Sequence, residues 1–500
     1  MSDGRLKTAK LNMKISLLCQ FVTVVCGIVI PRYMITAFGS ELYGATAAIT
    51  QFLAYVTLLE GGIGGVARAS LYKPLADNDN DKICEIFWEL KKFFNIIGCI
   101  FIVYMIGIAL SFKYISDIKS IDWITTFVLV VVISISTMGQ HFIGISNAVV
   151  LQAAQKIYIT NITSTITTII NTCMIIVLVN CGCGIITVKL VSSCVFLLRP
   201  IILSVYVKKN FGVKKVDKRT NHLKNKWDGL GQHISFFLHS NVDIVILTLF
   251  GNLSLVAVYS IYKMVVGNIQ NIIVSFTSGM EAYFGDMLAK NESEILDKRF
   301  RMYEICTSTV STILIAVTTI LIIPFVRIYT AGVDDVNYIQ PLFAVMMALA
   351  SYLYCIRQPF HAVIIAAGHF KETNLAAYGE VFINVVLSVI LVSKFGLVGV
   401  AIGTVVAVLF RFIYYIYYLS NNIMFRTCSI AIRQISLNGL LLSGSVVGLF
   451  IIENYMNIAT YVHWIVIGVI STVLVSALVL LVNYLIYKEE YSNAIKAFLK

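Results

Sequence analysis

Long apolar runs, separated by short polar segments, dominate the chain from residue 14 onward. A membrane-spanning helix needs about 20 mostly apolar residues to cross about 30 Å of hydrocarbon. Fourteen runs meet this requirement and predict transmembrane helices near 14–37, 43–65, 92–111, 123–146, 157–179, 184–206, 233–250, 256–282, 304–327, 339–365, 374–392, 396–419, 434–452 and 461–487. The pattern disfavours a β-barrel, whose strands alternate apolar and polar residues over about 10 positions.

Two amphipathic segments follow the second and eighth predicted spans. Residues 79–94 read DNDKICEIFWELKKFF, and residues 291–303 read NESEILDKRFRMY. Their apolar residues recur at helical spacing. This pattern predicts helices that lie on the cytoplasmic membrane surface with their apolar faces turned into it.

The chain also repeats itself at an offset of 212 or 213 residues. AAQKIYITN begins at Ala153, and AAGHFKETN begins at Ala366. Further matches at this offset are Gly184 with Gly396, Arg199 with Arg411, and Asn171 with Asn384. Several matches at one offset predict a duplicated unit of six spans. Because six is an even number, both copies have the same orientation, as in parallel repeats related by an axis along the membrane normal.

These features predict an all-α polytopic membrane protein with about fourteen transmembrane helices. Residues 1–207 form an N-lobe of spans 1–6, residues 208–232 a basic cytoplasmic linker, and residues 233–419 a C-lobe of spans 7–12. Residues 420–500 hold spans 13 and 14 and the C-terminus. Two similar lobes are the architecture of secondary transporters that work by alternating access.

Composition and charge agree with this topology. Hydrophobic residues make up 58% of the chain and charged residues 13%, against about 25% charged residues in soluble domains. The predicted inner segments hold most of the lysines and arginines outside the spans, whereas the outer loops hold Lys113, Lys119 and Lys394. This distribution predicts that both termini are cytoplasmic. The net charge of +12 is therefore a topology signal and does not indicate a nucleic-acid partner.

Other sequence features disfavour an enzyme. The chain contains no G-x-x-x-x-G-K-[ST] loop, no H-E-x-x-H zinc motif and no G-x-S-x-G elbow. We therefore expect no catalytic residues, no bound metal and no organic cofactor. The first apolar run is long enough to be a signal anchor, and the eleven scattered cysteines are expected to be free thiols.

Three stretches carry a family resemblance. They are IVIPRYMITAFGSELYGATAAITQFLAYVTLLEGGIG at 28–64, NVDIVILTLFGNLSLVAVYSIYKMV at 241–265, and AAGHFKETNLAAYGEVFINVVLSVILVSKFGLVGVAIGTVVA at 366–407. Over spans 1–12 the chain resembles the polysaccharide flippases, of the O-antigen and capsule repeat-unit type, in the multidrug/oligosaccharidyl-lipid/polysaccharide export superfamily. The resemblance implies fourteen helices in the bacterial inner membrane. It also implies a cargo of undecaprenyl-diphosphate-linked oligosaccharide, moved from the inner to the outer leaflet.

Basic residues within the spans are the candidates for binding such a cargo. A charge at membrane depth is costly unless it faces water or a partner. An arginine can bind phosphate oxygens through two parallel hydrogen bonds, so an excess of basic groups predicts a cationic cleft. The candidates are Lys263, Arg357, Arg199, Arg411, Arg32 and Lys189. A purely structural alternative for Arg199, Arg411 and Arg32 is that their side chains extend to the nearer membrane surface and bind no cargo.

Acidic residues at similar depth are fewer and are the candidates for coupling to H⁺ or Na⁺. Asp243 is the first of these, and Glu60 and Glu380 follow. Each has a structural alternative: Asp243 paired with an arginine, Glu60 with a loop lysine, and Glu380 with a group at the cytoplasmic end. His361 is expected to be a hydrogen-bonded interior residue.

The sequence thus predicts a flippase driven by an ion or by the membrane potential. An anion moving outward gains about 2.3 kcal/mol per charge per 100 mV. A lipid II flippase, also with a basic cleft, and a multidrug cation antiporter, with an acidic and aromatic cleft, are the alternatives within the superfamily. A glycan polymerase or ligase is disfavoured because the outer loops are short. A polymerase or a glycosyltransferase is instead a candidate partner, beside the membrane lipids.

Overall fold

The computed structural model describes residues 2–61, 63–214, 230–277, 279–456, 458–488 and 490–491. Within these residues the chain forms fifteen α-helices and no strand. Eleven helical stretches are long and apolar enough to cross a membrane, which confirms an all-α polytopic membrane protein. None of the eleven cysteines, all of which are described, forms a disulfide.

Contacts group the chain into two units, Met1–Ala257 and Val258–Lys500. The first unit contains helices α1 Ser2–Ala54, α2 Ile63–Asp77, α3 Asn80–Ser116, α4 Trp123–Gly139, α5 Ile145–Ala153, α6 Ile157–Asn180, α7 Ile185–Phe211 and α8 Leu230–Phe250. A 3₁₀ segment, Tyr55–Glu60, lies between α1 and α2, and a π-helical turn, Gln140–Gly144, joins α4 to α5. Helix α8 contacts α1 and α3, so contacts place it with the first unit. The lobe boundaries defined by the sequence repeat stay a prediction.

The second unit contains most of α9 Leu253–Thr277, then α10 Met280–Ala289, α11 Ser293–Tyr329, α12 Pro341–Ala366, α13 Phe370–Asn422, α14 Ser429–Tyr455 and α15 Tyr461–Ile486. Helix α11 packs against α12, α14 and α15. Its C-terminal apolar segment is accordingly the most buried of the candidate spans. The aromatic side chains of Phe284, Phe300, Phe360 and Phe412 form part of the core of this unit.

The two C-terminal helices are joined to α11 by polar contacts. Arg426, in the loop before α14, donates from Nη2 to Glu304 Oε2 at 2.9 Å. On α14, Asn438 Nδ2 donates to Ser308 Oγ at 2.9 Å, and Asn438 Oδ1 accepts from Asn483 Nδ2 on α15 at 3.0 Å. Buried polar groups need such partners in an apolar environment, so these contacts fix how α14 and α15 pack on the unit.

Two pairs of predicted spans meet at a single glycine with non-helical backbone. Predicted span 1 and the first part of span 2 lie in α1, which is interrupted at Gly39 with φ of 78°. Predicted spans 11 and 12 lie in α13, which is interrupted at Gly396 with φ of 54°. Positive φ is readily available only to glycine. The prediction of separate helical spans is therefore confirmed at these two places, and a single glycine with non-helical backbone stands between the two helices of each pair.

The two predicted surface helices are also different in the structure. Residues 79–94 and 291–303 belong to the starts of α3 and α11, each 37 residues long. Ile83, Phe87 and Leu90 are buried within the protein, where α3 contacts α2 and α5. The helical periodicity is confirmed, and these three apolar side chains of α3 pack within the protein. The position of the two segments at the cytoplasmic surface stays a prediction.

Backbone geometry confirms the repeat at the turn that AAQKIYITN and AAGHFKETN share. In the first copy the Lys156 N–H donates to the Leu151 carbonyl at 2.8 Å, and in the second the His369 N–H donates to the Ile364 carbonyl at 3.2 Å. The residue before each of these donors, Gln155 or Gly368, has positive φ. The repeated phrase thus encodes the same helix C-cap twice.

A second structural match precedes the two 37-residue helices. Asn78 has φ of 54° two residues before α3, and Asn291 has φ of 57° two residues before α11. Asparagine is one of the few residues that tolerates this conformation. Both copies therefore begin their third long helix after the same left-handed turn.

The two arms of α13 approach each other closely beyond the bend. A Cβ atom added to Gly403 would lie 2.2 Å from Ser388 Oγ and 2.9 Å from the Ser388 backbone nitrogen. Ser388 Oγ is held by Asn384 Oδ1 at 2.9 Å. Small residues allow such close helix packing in membranes, where apolar burial between helices supplies little driving force.

Replacing Gly403 with alanine should destabilise the protein by about 1–3 kcal/mol, because the methyl group overpacks the contact between the arms of α13. The measurement is the thermal unfolding midpoint of the full chain in detergent. Gly444→Ala is the matched control, since a Cβ atom at Gly444 in α14 meets nothing within 4 Å. Equal midpoints for the two variants would contradict the close approach.

Candidate functional site

A buried charge cluster links α12 to both arms of α13. Arg357 Nη1 lies 2.8 Å from Glu380 Oε1, and Arg411 Nη1 lies 2.5 Å from Glu380 Oε2. Glu380 is fully buried, and the two arginines are almost so. One carboxylate thus faces two guanidinium groups, which leaves one net positive charge inside the second unit.

Aromatic side chains surround this cluster. The Tyr415 hydroxyl accepts from Arg411 Nε at 3.0 Å and from Nη2 at 2.7 Å. The Arg357 guanidinium carbon lies 5.1 Å from the Tyr354 ring centroid, a distance suited to cation–π attraction. His361, which is half-buried, stacks on Tyr415 with ring centroids 6.0 Å apart. Tyrosine rings beside Arg357 and Arg411 therefore help to stabilise the excess positive charge of the cluster.

Arg199 is the first-unit counterpart of Arg411, but its partners are neutral. On α7, Arg199 Nε donates to Thr167 Oγ1 at 2.6 Å, and Nη2 donates to Thr168 Oγ1 at 2.7 Å and to the Ser164 carbonyl at 3.1 Å. Thr167 occupies the repeat position of Glu380. Among the described residues Arg199 has no acidic partner, so its charge is not neutralised.

The structure places the other basic candidates at separate positions. Lys263 on α9 is half-buried, and its Nζ lies 3.3 Å from the Tyr259 hydroxyl and 5.4 Å from that ring's centroid. Lys189 is half-buried near the start of α7, with no ion pair within the part of the chain that is described. Arg32 is half-buried on α1, beside Pro31. The structure thus brings Arg357 and Arg411 together, while Lys189 and Arg199 share one helix.

The acidic candidates also differ from one another. Glu380 neutralises arginine charge, as described above. Asp243 is buried on α8, with 3% of its surface exposed. Glu60 ends the 3₁₀ segment, and its Oε1 lies 3.7 Å from His141 Nδ1. The expected pairing of Glu60 with a loop lysine was wrong, because the histidine of the π-turn occupies that place.

His141 is the polar residue that the sequence interpretation missed. It lies in the π-helical turn Gln140–Gly144 and is 2% exposed. π-Helical turns inside α-helices are rare and often occur at functional sites. The available signal was the polar pair Gln140-His141 within an otherwise apolar span, flanked by glycines at 139 and 144.

Glu380→Gln should lower the free energy of unfolding by about 3–5 kcal/mol, because it leaves two buried guanidinium groups without a carboxylate. Thr167→Val is the matched change at the equivalent repeat position, and it should cost about 1 kcal/mol since only a neutral acceptor is lost. Thermal unfolding in detergent measures both variants. If Glu380→Gln were no more destabilising than Thr167→Val, the charge cluster would not stabilise the second unit.

Solved structures share the fold of this chain, although the chain matches no protein-family model and no curated protein by sequence. It is similar to the structure of the lipid II flippase MurJ in an inward closed conformation. The identity is 13% over 95% of this chain and 98% of that chain, with a TM-score of 0.70.

Two multidrug transporters are also similar. One is an inward-facing multidrug resistance MATE family transporter of the MOP superfamily, with 14% identity over 83% of this chain and 98% of that chain and a TM-score of 0.60. The other is the MATE multidrug transporter DinF-BH, with 16% identity over 84% of this chain and 97% of that chain and a TM-score of 0.58. The chain therefore has the fold that these MurJ and MATE proteins share.

Proposed function

We propose that this protein is a flippase of the bacterial inner membrane. Its cargo is an undecaprenyl-diphosphate-linked oligosaccharide, which it moves from the cytoplasmic to the outer leaflet by alternating access. The shared fold with MurJ and MATE proteins supports a transporter. The distribution of charge within each unit supports an anionic cargo.

Arg199 is the observation that carries this proposal. Its guanidinium is held by hydroxyl and carbonyl oxygens that orient it without cancelling its charge. A charge kept inside a membrane span without an acidic partner is costly and points to a function. A diphosphate would supply the missing negative charge through charge-assisted hydrogen bonds.

Neighbouring groups suit the rest of such a cargo. Lys189 precedes Arg199 by ten residues on α7, about 15 Å along the helix, and provides a second positive charge. Helix α6 is rich in threonine, and Thr163 lies one helical turn before Thr167, whose hydroxyl donates to the Thr163 carbonyl at 2.9 Å. Hydroxyl groups can donate to and accept from sugar hydroxyls. We assign the diphosphate to the arginine and the polar face of α6 to the sugar.

The second unit contributes a smaller net charge. Since Glu380 neutralises one of the two arginines beside it, Arg357 and Arg411 together act as one positive centre. Lys263 is the remaining cargo contact that we propose in this unit, and Arg32 is a further one in the first unit. Asp243 and Glu60 remain the candidates for H⁺ or Na⁺ coupling, and Glu380 becomes a structural counter-charge.

Lipid II is the second candidate cargo. It shares the undecaprenyl diphosphate with the proposed repeat unit, so Arg199 would bind either lipid in the same way. The MurJ protein of the same fold is named a lipid II flippase. A cationic drug is a poorer match, because the excess charge within the spans is positive.

Arg199→Gln should slow cargo movement about 10- to 100-fold, because a lost hydrogen bond to a charged group is worth about 1.5–3 kcal/mol. The assay reconstitutes the full chain in vesicles and follows transbilayer movement of fluorescent undecaprenyl-diphosphate-linked oligosaccharide. Lys394→Gln, which removes an exposed positive charge from the bent helix α13, should leave the rate unchanged.

Parallel arms of this assay with fluorescent lipid II and a cationic dye identify the cargo class. The proposal is supported if the oligosaccharide lipid moves faster than in empty vesicles. If only lipid II moves, the protein is still a flippase, but its cargo is lipid II and not the proposed oligosaccharide lipid. Movement of the dye alone, or an unchanged rate in Arg199→Gln, would overturn the proposed function.

The proposed orientation places both termini in the cytoplasm. Cys181 is exposed in the turn between α6 and α7, and Lys290 is exposed directly after α10. In a cysteine-free background, a retained Cys181 should react with a membrane-impermeant maleimide on spheroplasts, whereas Lys290→Cys should react only after lysis. The reverse result would invert the topology. A glycosyltransferase or glycan polymerase remains the proposed protein partner.

A further inference from the structure

Two breaks in regular helix occur beside one charge pair in the first unit. The helical path of α1 becomes a 3₁₀ segment at Tyr55 and ends at Glu60, and Gly61 follows with φ of 54°. The path of α4 widens into the π-turn that contains His141. Non-helical backbone at membrane depth is tolerated where it is buried in protein or lines a polar cavity. Both breaks carry an ionisable side chain, and these two side chains face each other.

The pair is close but not bonded. Glu60 Oε1 lies 3.7 Å from His141 Nδ1, beyond the hydrogen-bond range of about 2.7–3.2 Å. His141 is 2% exposed, and neither of its ring nitrogens has a hydrogen-bond partner within the described residues. A buried polar group without a partner is costly, so a hydrogen bond from His141 to Glu60 would stabilise this arrangement. The Glu60 side chain is 25% exposed, which gives a proton a path to the pair.

Charged groups on the surrounding helices have other partners. Arg68 on α2 donates to Gln152 Oε1 at 2.7 Å, and Arg199 on α7 donates to α6. Tyr104 on α3 donates to the Phe52 carbonyl at 2.8 Å, and Phe101 on the same helix packs near the His141 ring at 5.6 Å. Asp243 on α8, which contacts the 3₁₀ segment, is a second carboxylate near this region. Within the described residues, the carboxylate placed to stabilise a positive charge on His141 is that of Glu60.

We propose that Glu60 and His141 form a proton-carrying pair that couples protonation to the shape of the first unit. A proton passes from hydronium to the imidazole: one O–H bond breaks and leaves water, and one N–H bond forms. The resulting N–H donates to the Glu60 carboxylate, and the separation falls from 3.7 Å to about 2.8 Å, the length of a charge-assisted bond. Loss of the proton reverses the step. A metal ion is a poorer occupant, because hard cations take six or more oxygen ligands and the described residues hold no group of three ligating side chains.

The π-turn connects this pair to the helix of Arg199. A Cβ atom on Gly139 would lie 3.6 Å from Pro200 Cγ, and one on Gly144 would lie 3.2 Å from Pro200 Cβ. The backbone on both sides of His141 therefore packs against the residue that follows Arg199. A shift of the turn toward Glu60 changes this contact and moves Arg199 relative to α6. This step rests on the proposed function of Arg199, whereas protonation of the pair does not.

The test of the pair is a histidine titration of the full chain in lipid vesicles by solid-state nuclear magnetic resonance with ¹⁵N-labelled histidine. His141→Gln identifies the signal by its disappearance from among those of the seven histidines. In the wild-type protein this signal should change from neutral to protonated imidazole between about pH 4 and 8, a range around the ordinary histidine pKa. Glu60→Gln should shift the midpoint down by at least about one pH unit, because the counter-charge is lost, and Glu60→Asp should shift it less.

His361→Gln, in the second unit, is the matched control and should leave the His141 midpoint unchanged. A His141 signal that stays neutral down to about pH 4, or a midpoint that does not respond to Glu60→Gln, overturns the pair. The titration uses no cargo, so its result is independent of whether the protein moves a lipid. In the vesicle assay, Glu60→Gln and His141→Gln should each abolish the dependence of cargo movement on an imposed pH gradient. If that dependence persisted in both variants while the titration succeeded, the coupling of the pair to transport would be overturned and its protonation upheld.

Discussion

The cost of holding charge inside a membrane governs this structure. Arg357, Arg411 and Glu380 are buried among the helices of the second unit, and each would be very costly alone. The ion pairs of the two arginines with one carboxylate offset most of that cost. The Tyr415 hydroxyl accepts two further hydrogen bonds from Arg411. The helices that supply these side chains cannot slide past each other without separating opposite charges. The cluster therefore fixes the packing of α12 against both arms of α13.

The same constraint gives the two copies of the repeat different properties. The duplication placed an arginine on equivalent helices, Arg199 and Arg411, but it paired them with Thr167 and Glu380. A threonine hydroxyl orients a guanidinium without cancelling its charge, whereas a glutamate neutralises it. One difference in residue type thus leaves Arg199 with neutral partners and gives Arg411 an ionic partner.

Much of the fold was accessible from sequence because hydrophobic length and repeated phrases are local signals. The fourteen apolar runs fall on the observed helices, and the two AA…TN phrases fall on matching C-caps. Pairings between distant residues had no local signal. Nothing near Glu380 in the sequence shows that Arg357 and Arg411 both reach it, and nothing near Glu60 indicates His141. Span boundaries were predicted beside Gly39 and Gly396, and both glycines have positive φ, a conformation that interrupts a helix without a polar loop.

Irregular backbone and an unbonded ionisable pair occur together at one place in the first unit. The first unit contains the 3₁₀ segment, the π-turn and the unbonded contact between Glu60 and His141, while its arginine keeps neutral partners. In the second unit, α12 runs without a break from Pro341 to Ala366, and its buried arginine is bonded to a carboxylate. A helix break lowers the free-energy cost of local movement. An unbonded polar pair favours such movement, because the pair gains a hydrogen bond when its members move closer together. A bonded ionic core opposes movement on both counts. If the proposed proton step operates, the movement is therefore expected at the 3₁₀ segment and the π-turn of the first unit.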